Sequence, residues 1–376
     1  MLFSRTTRTS YRACRIEDGE SRPAPPRRTG RTRPKGARGT AHPPSDGTGT
    51  KYAPPDRPRK RKRRRPAREQ VRPPRDHNGW VHHLPPPQVP TPLETVEDPR
   101  FDARGITLSL KRDDLIHPHL VGNKWRKLAP NLTAAAGHPL VTFGGAYSNH
   151  LRATAAAGHL LGVATTGVVR GDELAGRPRN PSLARCEADG MRLHFVDRST
   201  YRRKDEPEIR AALLRDLGEE DAYLVPEGGS NALAVQGCAA LGTELRGHAD
   251  VVAVACGTGG TLAGLAAGLG PDQRALGVSV LKGGFLTGET ARLQDTAFGG
   301  PRGRWSVTDR FHCGGYARVP AALEAFAADF EQRHGLAVER LYVAKTLWAL
   351  TVLAEEGAFP AGTRLTAVVT GAPEPY

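Results

Sequence analysis

Three short stretches of this chain of 376 residues carry side chains whose types and spacing could do chemistry together. In "VGNKWRKLAP" (121–130), Lys124 follows Gly122-Asn123 at the point where a helix is expected to begin. A lysine becomes chemically useful when its surroundings favour the neutral amine, which can condense with an aldehyde to a Schiff base. Asn123 could hydrogen-bond an oxygen beside it, and Lys127, one helical turn later, shares its face. In "VVAVACGTGGTLAGLAAGL" (251–269), an apolar strand runs into Gly257-Thr258-Gly259-Gly260-Thr261 and then a helix of small residues. Glycines let N–H groups approach an anion, the helix start adds positive partial charge, and two threonine hydroxyls add donors. This is a phosphate cup. It is not a dinucleotide fingerprint, because Leu262 stands where the last glycine would, nor a P-loop, because no Gly-Lys-Ser/Thr occurs. In "TFGGAYSNHLRATAAAGHLLG" (142–162), a strand ends in a double glycine and Ser148-Asn149-His150 open a helix. That triplet suits a carboxylate, with Ser148 also able to take part in proton transfer. Each stretch also has a plain structural reading: a surface lysine, a tight turn, a helix cap.

A Schiff-base lysine and a phosphate cup together point to pyridoxal phosphate, which carries an aldehyde and a phosphate. The rest of the body must position them. Strands are predicted at 106–112, 139–143, 163–169, 191–196, 222–226, 251–256, 275–281 and 364–370. Helices are predicted near 149–161, 205–217, 231–246, 261–269, 319–334 and 345–357. Near-continuous apolar strands alternating with helices mean an α/β fold whose parallel sheets are covered on both faces. Ligands then bind where strands end, which is where the double glycine and the phosphate cup fall.

The formal net charge of +15 first suggests nucleic acid, but its distribution argues otherwise. Residues 1–80 carry 23 Lys and Arg against 7 Asp and Glu, while the other 296 carry 31 against 32. Residues 1–83 hold "RPRKRKRRRPAR" (57–68), are poor in large apolar residues, and read as a disordered Arg/Pro-rich tail. Such a run binds nucleic acid non-specifically, if at all; the acid-poor start also faintly resembles a transit peptide. Cys14, Cys186, Cys238, Cys256 and Cys313 are scattered without metal-ligand spacing, which argues for a reducing compartment and no metal site. No apolar run approaches membrane-helix length, so a cytoplasmic protein with no membrane partner is expected.

"KRDDLIHPHLVGNKWRKL", "TFGGAYSNHLRATAAAG", "PEGGSNALAVQG" and "CGTGGTLAGL" occur in this order. They resemble the 1-aminocyclopropane-1-carboxylate deaminase/D-cysteine desulfhydrase family of pyridoxal-phosphate enzymes, of tryptophan-synthase-β type (fold type II). The resemblance spans roughly 84–371 and implies two open, mostly parallel twisted sheets flanked by helices. Residues 84–126 and 223–376 would form a large cofactor domain, and 127–222 a small one, in what is expected to be a homodimer. It implies that Lys124 is the Schiff-base lysine, with Asn149 and Asn123 near the cofactor's phenolic oxygen. Ser148, Asn149 and His150 would hold the carboxylate of a small amino-acid substrate, and Lys127 with Gly257, Thr258, Gly259, Gly260 and Thr261 the phosphate. Tyr316 in "GGYARVP" and Tyr342 in "ERLYVAKTLWAL" would face the substrate.

Two departures bear on the reaction. Relatives that open the cyclopropane ring carry a glutamate at the pyridine nitrogen, where this chain has Val343, followed by Ala344 in place of a glycine. Relatives acting on D-cysteine use a threonine in an "HTGG"-like stretch; "VVTGAPEPY" keeps Thr370 and Gly371, then diverges. The resemblance therefore implies β-elimination, giving pyruvate, sulfide and ammonia from D-cysteine. Deamination of the cyclopropane substrate to 2-oxobutanoate and a cofactor-binding homologue of low activity stand as alternatives.

Overall fold

The structure is a computed structural model that describes residues 84–120 and 122–373. The basic tail, with its nucleic-acid and transit-peptide readings, lies outside the described residues.

Among the described residues, ten strands form two sheets. Their ranges are β1 Leu93–Val96, β2 Thr107–Lys111, β3 Leu140–Gly144, β4 Thr165–Arg170, β5 Arg192–Val196, β6 Tyr223–Val225, β7 Val251–Cys256, β8 Arg274–Ser279, β9 Arg304–Thr308 and β10 Arg364–Val368. The six-stranded sheet runs β1-β2-β10-β7-β8-β9, parallel except for β1, which pairs antiparallel with β2. The four-stranded sheet runs β5-β4-β3-β6 and is wholly parallel. The two mostly parallel sheets flanked by helices are therefore present. Tyr223–Val225, expected in the large domain, pairs instead with Leu140–Thr142 in the four-stranded sheet. The division expected after residue 222 thus falls one strand early: an apolar run shows that a strand forms, not which sheet receives it.

Every residue of β7 is buried, as its unbroken apolar run requires of a central parallel strand. One face of the six-stranded sheet packs on helices Ala321–His334 and Val343–Glu355 through Phe326, Phe330 and Trp348. The other packs on Leu262, Leu265 and Leu241, from the helices that follow β6 and β7. The last strand in sequence, β10, lies between β2 and β7, with Thr366 opposite both Ser109 and Val252. This insertion carries Thr370 to the turn after β7. Edge strands β1 (LETV) and β9 (RWSVT) keep exposed positions, so neither shows the unbroken apolar run that marks the central strands.

Candidate active site

The turns after β3, β7 and β10 open on one cavity of about 960 Å³. Asn123, Lys124, Lys127, Ser148, Asn149, His150, Gly257, Thr258, Gly259, Thr261, Tyr316, Tyr342 and Thr370 all line it. Gly260 is buried behind the wall, against Ser230 and Lys127.

Lys124 is the first residue of helix Lys124–Ala135. Gly122 has φ +53°, and a Cβ there would stand 1.8 Å from the carbonyl oxygen of Thr370. Only glycine allows this approach, which lets the Asn123 N–H donate to that oxygen at 3.1 Å and pins the helix start to the end of β10. The Lys124 ammonium donates to Asn123 Oδ1 at 3.1 Å and has no carboxylate in ion-pair reach among the described residues. Burial, and after it the charge of Lys127, bring the Lys124 pKa down to about 7. The positive end of its own helix disfavours the ammonium in the same sense. A lysine so placed is half neutral near pH 7, which an aldehyde-binding amine requires.

Lys127 is 2% exposed and donates to Gly228 O at 3.1 Å and Ser230 Oγ at 2.9 Å. Burial lowers its pKa as well. Ser230 Oγ lies 2.6 Å from Thr258 Oγ1, and Asn123 Nδ2 donates to Thr261 Oγ1 at 3.1 Å. Gly259, at φ +75°, turns the chain into helix Gly260–Gly268, whose first N–H groups are free of helical partners. A buried ammonium without a carboxylate, three hydroxyls and a helix N-terminus thus surround one space, and a phosphate would supply the missing negative charge. The residues present fit pyridoxal phosphate. Ser230 was not singled out from sequence, although the Gly-Gly-Ser-Asn before a helix repeats the grammar of the other two turns.

Ser148 caps helix Asn149–Leu161, its Oγ accepting from the Leu151 N–H at 3.2 Å. Asn149 Oδ1 accepts from the Arg152 guanidinium, which leaves its amide N–H₂ to donate. The side-chain role expected of His150 needs correction. Its Nε2 lies 2.8 Å from Thr142 Oγ1, whose hydroxyl donates to Val225 O at 2.8 Å. Nε2 must therefore carry the proton. Burial and the two nearby lysines hold the ring neutral, with its pKa well below 6.5. Nδ1 then has only a lone pair, which repels a carboxylate. What the site can offer such a group is the Ser148 hydroxyl and the unpaired backbone N–H groups of Asn149 and His150.

Tyr342 stands at the start of helix Val343–Glu355, its ring 3.6 Å from where a side chain on Gly257 would begin. Tyr316 meets it edge-on, centroids 6.1 Å apart, and donates its hydroxyl to Tyr147 O at 2.9 Å. Burial raises both phenol pKa values, so both stay protonated. Two buried charged residues that sequence reasoning missed hold these loops. Glu339 accepts from the N–H groups of Leu341, Tyr342 and Val343 at 2.7, 2.7 and 3.2 Å. Lys345 donates to His312 O and Gly315 O, each at 3.0 Å. Val343 and Ala344, 1% and 0% exposed, are turned into the core beside Trp348.

The sequence model of the pyridoxal-phosphate dependent enzymes matches residues 84–371. The chain belongs to this family. Pyridoxal phosphate is accordingly the enzyme's cofactor. Over 217 residues it is 31% identical to the mitochondrial bifunctional D-cysteine desulfhydrase/1-aminocyclopropane-1-carboxylate deaminase of Arabidopsis thaliana, covering 50% of this chain and 53% of the relative. It is 34% identical over 209 residues to D-cysteine desulfhydrase of Yersinia pestis strain Pestoides F, covering 50% and 61%. The enzyme thus aligns with little more than half the length of either relative. A crystal structure of an ACC deaminase homologue superposes with a TM-score of 0.65 at 25% identity, covering 78% of this chain and 94% of that one. No helix among the described residues is long and apolar enough to cross a membrane.

Proposed function

We propose that the enzyme is a lyase that removes a β-substituent from small amino acids, with D-cysteine the model substrate. D-Cysteine and water would give pyruvate, ammonia and sulfide. Bound pyridoxal phosphate supplies an electron sink that acidifies the substrate's Cα–H bond. Lys124, neutral near pH 7, takes that proton at Nζ. The Ser148 hydroxyl and the N–H groups of Asn149 and His150 hold the substrate carboxylate. Lys127, Ser230, Thr258 and the Gly257–Thr261 backbone hold the phosphate. Asn149 and Asn123 would hold the phenolic oxygen of the cofactor, and Tyr342 and Tyr316, which also line the cavity, would shield the reacting carbons from water.

The observation that carries elimination over ring opening is the fate of Val343 and Ala344. Both are buried in the core and neither lines the cavity, whereas Thr370 does. A threonine hydroxyl can donate to an unprotonated pyridine nitrogen but cannot keep it protonated. Negative charge at Cα is then less stabilised, and a reaction that expels a leaving group at once is favoured over carbon–carbon cleavage. The second reading, deamination of 1-aminocyclopropane-1-carboxylate, draws on the names of the Arabidopsis relative and the crystallised homologue.

Sulfide and pyruvate from D-cysteine are therefore expected to form faster than 2-oxobutanoate from the cyclopropane substrate. Thr370→Val should slow elimination about tenfold, the effect of losing ~1.4 kcal/mol in the transition state. Faster turnover of the cyclopropane substrate under matched conditions would reverse the choice.

A further inference from the structure

Arg170 is the last residue of β4 and stands beside β3, where Val169 pairs with Gly144. Its guanidinium reaches over the double-glycine turn, with Nη2 3.7 Å from where a Gly145 side chain would begin. It lines the cavity, and its guanidinium carbon is 5.8 Å from the centre of the Tyr201 ring. The other cations at the rim are engaged. Lys204 lies 3.1 Å from Glu227, Arg292 lies 2.7 Å from Glu289, and Arg210 donates to Asp205 O at 3.0 Å. The Arg170 side chain makes no hydrogen bond and has no carboxylate partner among the described residues. An exposed arginine is ordinarily just solvated. This one faces the turn that leads to Ser148, and glycine at 145 leaves the space before it open.

We infer that Arg170 selects the leaving group, and that preferred substrates are β-substituted amino acids whose substituent departs as an oxyanion, a phosphate or a sulfur oxyanion. This rests on the elimination reading above. The substrate's own carboxylate already has Ser148 and two N–H groups, so a guanidinium nearby serves a second anion. Its planar fork matches oxyanions two bonds at a time. A site with Thr370 rather than a carboxylate at the ring nitrogen also depends on a good leaving group, and these groups leave as stabilised anions. The balance closes with water alone. Lys124 takes the Cα proton, and the Cβ–O bond of O-phosphoserine breaks with its electron pair leaving on phosphate. Water then supplies the keto oxygen as ammonia departs, giving pyruvate. S-Sulfocysteine would react alike, its Cβ–S bond breaking to release thiosulfate.

The test uses the full-length holoenzyme and compares kcat/KM for O-phospho-D-serine, S-sulfo-D-cysteine and 3-chloro-D-alanine, whose β-substituent is uncharged. Alongside, calorimetry measures the Kd of D-aspartate, whose β-carboxylate cannot be eliminated. In Arg170→Met the ratio of oxyanion to chloride substrate should fall at least tenfold and the D-aspartate Kd should rise at least tenfold, with Arg170→Lys restoring part of each. The preferred oxyanion substrate tells phosphate from sulfur chemistry. An unchanged ratio and Kd, or an equal loss on all three substrates, would overturn the assignment. Should no amino acid be turned over while D-aspartate binding still depends on Arg170, the elimination reading falls and the anion-selecting role stands.

Discussion

Replacing Gly260 by alanine separates a cofactor cup from an ordinary tight turn. The new methyl group would begin 2.6 Å from Ser230 Oγ and 3.2 Å from Lys127 Nζ, so both polar groups must yield. The backbone tolerates the change: Gly260 opens a helix, where alanine is favoured over glycine by up to ~1 kcal/mol. Displacing Ser230 disrupts its 2.6 Å contact with Thr258 and its 2.9 Å bond from Lys127, each worth ~0.5–1.5 kcal/mol net. These terms oppose the helix gain, and the stability of the apoprotein should fall by no more than ~3 kcal/mol. Cofactor affinity has no such compensation. A charge-assisted bond from a displaced Lys127 is worth ~1.5–3 kcal/mol, so the Kd for pyridoxal phosphate should rise roughly 10- to 150-fold. Equilibrium titration of the apoprotein followed by absorbance, with urea unfolding of the same sample, reads both numbers. A Kd within about threefold of the wild-type value would refute the cup, and so would a stability loss large enough to account for the weaker binding by itself.

Two further outcomes follow from buried charge. With a pKa of about 7, Lys124 is half neutral at pH 7, against about one part in 3,000 for an ordinary lysine. Borohydride capture of pyridoxal phosphate on Lys124, located by peptide mapping, should therefore rise about tenfold per pH unit below 7 and level off above it; a rise continuing to pH 10 refutes the lowered pKa. Because the folded state releases this proton near 7 and the unfolded chain only near 10.5, Lys124 makes the apoprotein more stable as pH rises between those values. Arg126, in the same helix, bridges Asp113 at 2.8 Å and Glu244 at 2.7 Å, and Glu244 also holds Lys111 at 2.7 Å. Arg126→Met strands the fully buried Asp113 and should cost ~3–5 kcal/mol by urea unfolding; a loss under about 1 kcal/mol would mean that the network contributes little.

Local chemistry was legible in the sequence wherever one segment suffices to specify it. Helix 149–161 and strand 251–256 occupy the predicted residues, because an unbroken apolar run or a cap followed by alanines has few alternatives. Lys124 and the Gly257–Thr261 turn stood out for the same reason: a lysine after Gly-Asn and a glycine-rich strand-to-helix turn are short-range signals. Edge strand β9 escaped notice because an edge strand keeps one row of side chains in water and loses the unbroken apolar pattern.

Long-range pairing decided the rest. No pattern near residue 364 says that β10 will slot between β2 and β7, yet that insertion brings Thr370 to Gly122 and sets the start of the lysine helix. His150 reads as a carboxylate ligand in its own triplet; Thr142 and Val225, joined to it only in the folded four-stranded sheet, dictate the proton position of its ring and leave that role to its backbone N–H. Glu339 and Lys345 look like surface charges in sequence, and only their burial reveals them as the clamps of the two tyrosines. Residue types and short spacings determined which groups this chain owns. The tertiary fold decided which of them lose water and face one another, and that loss of water is what makes a lysine neutral and leaves an anion-binding turn its charge.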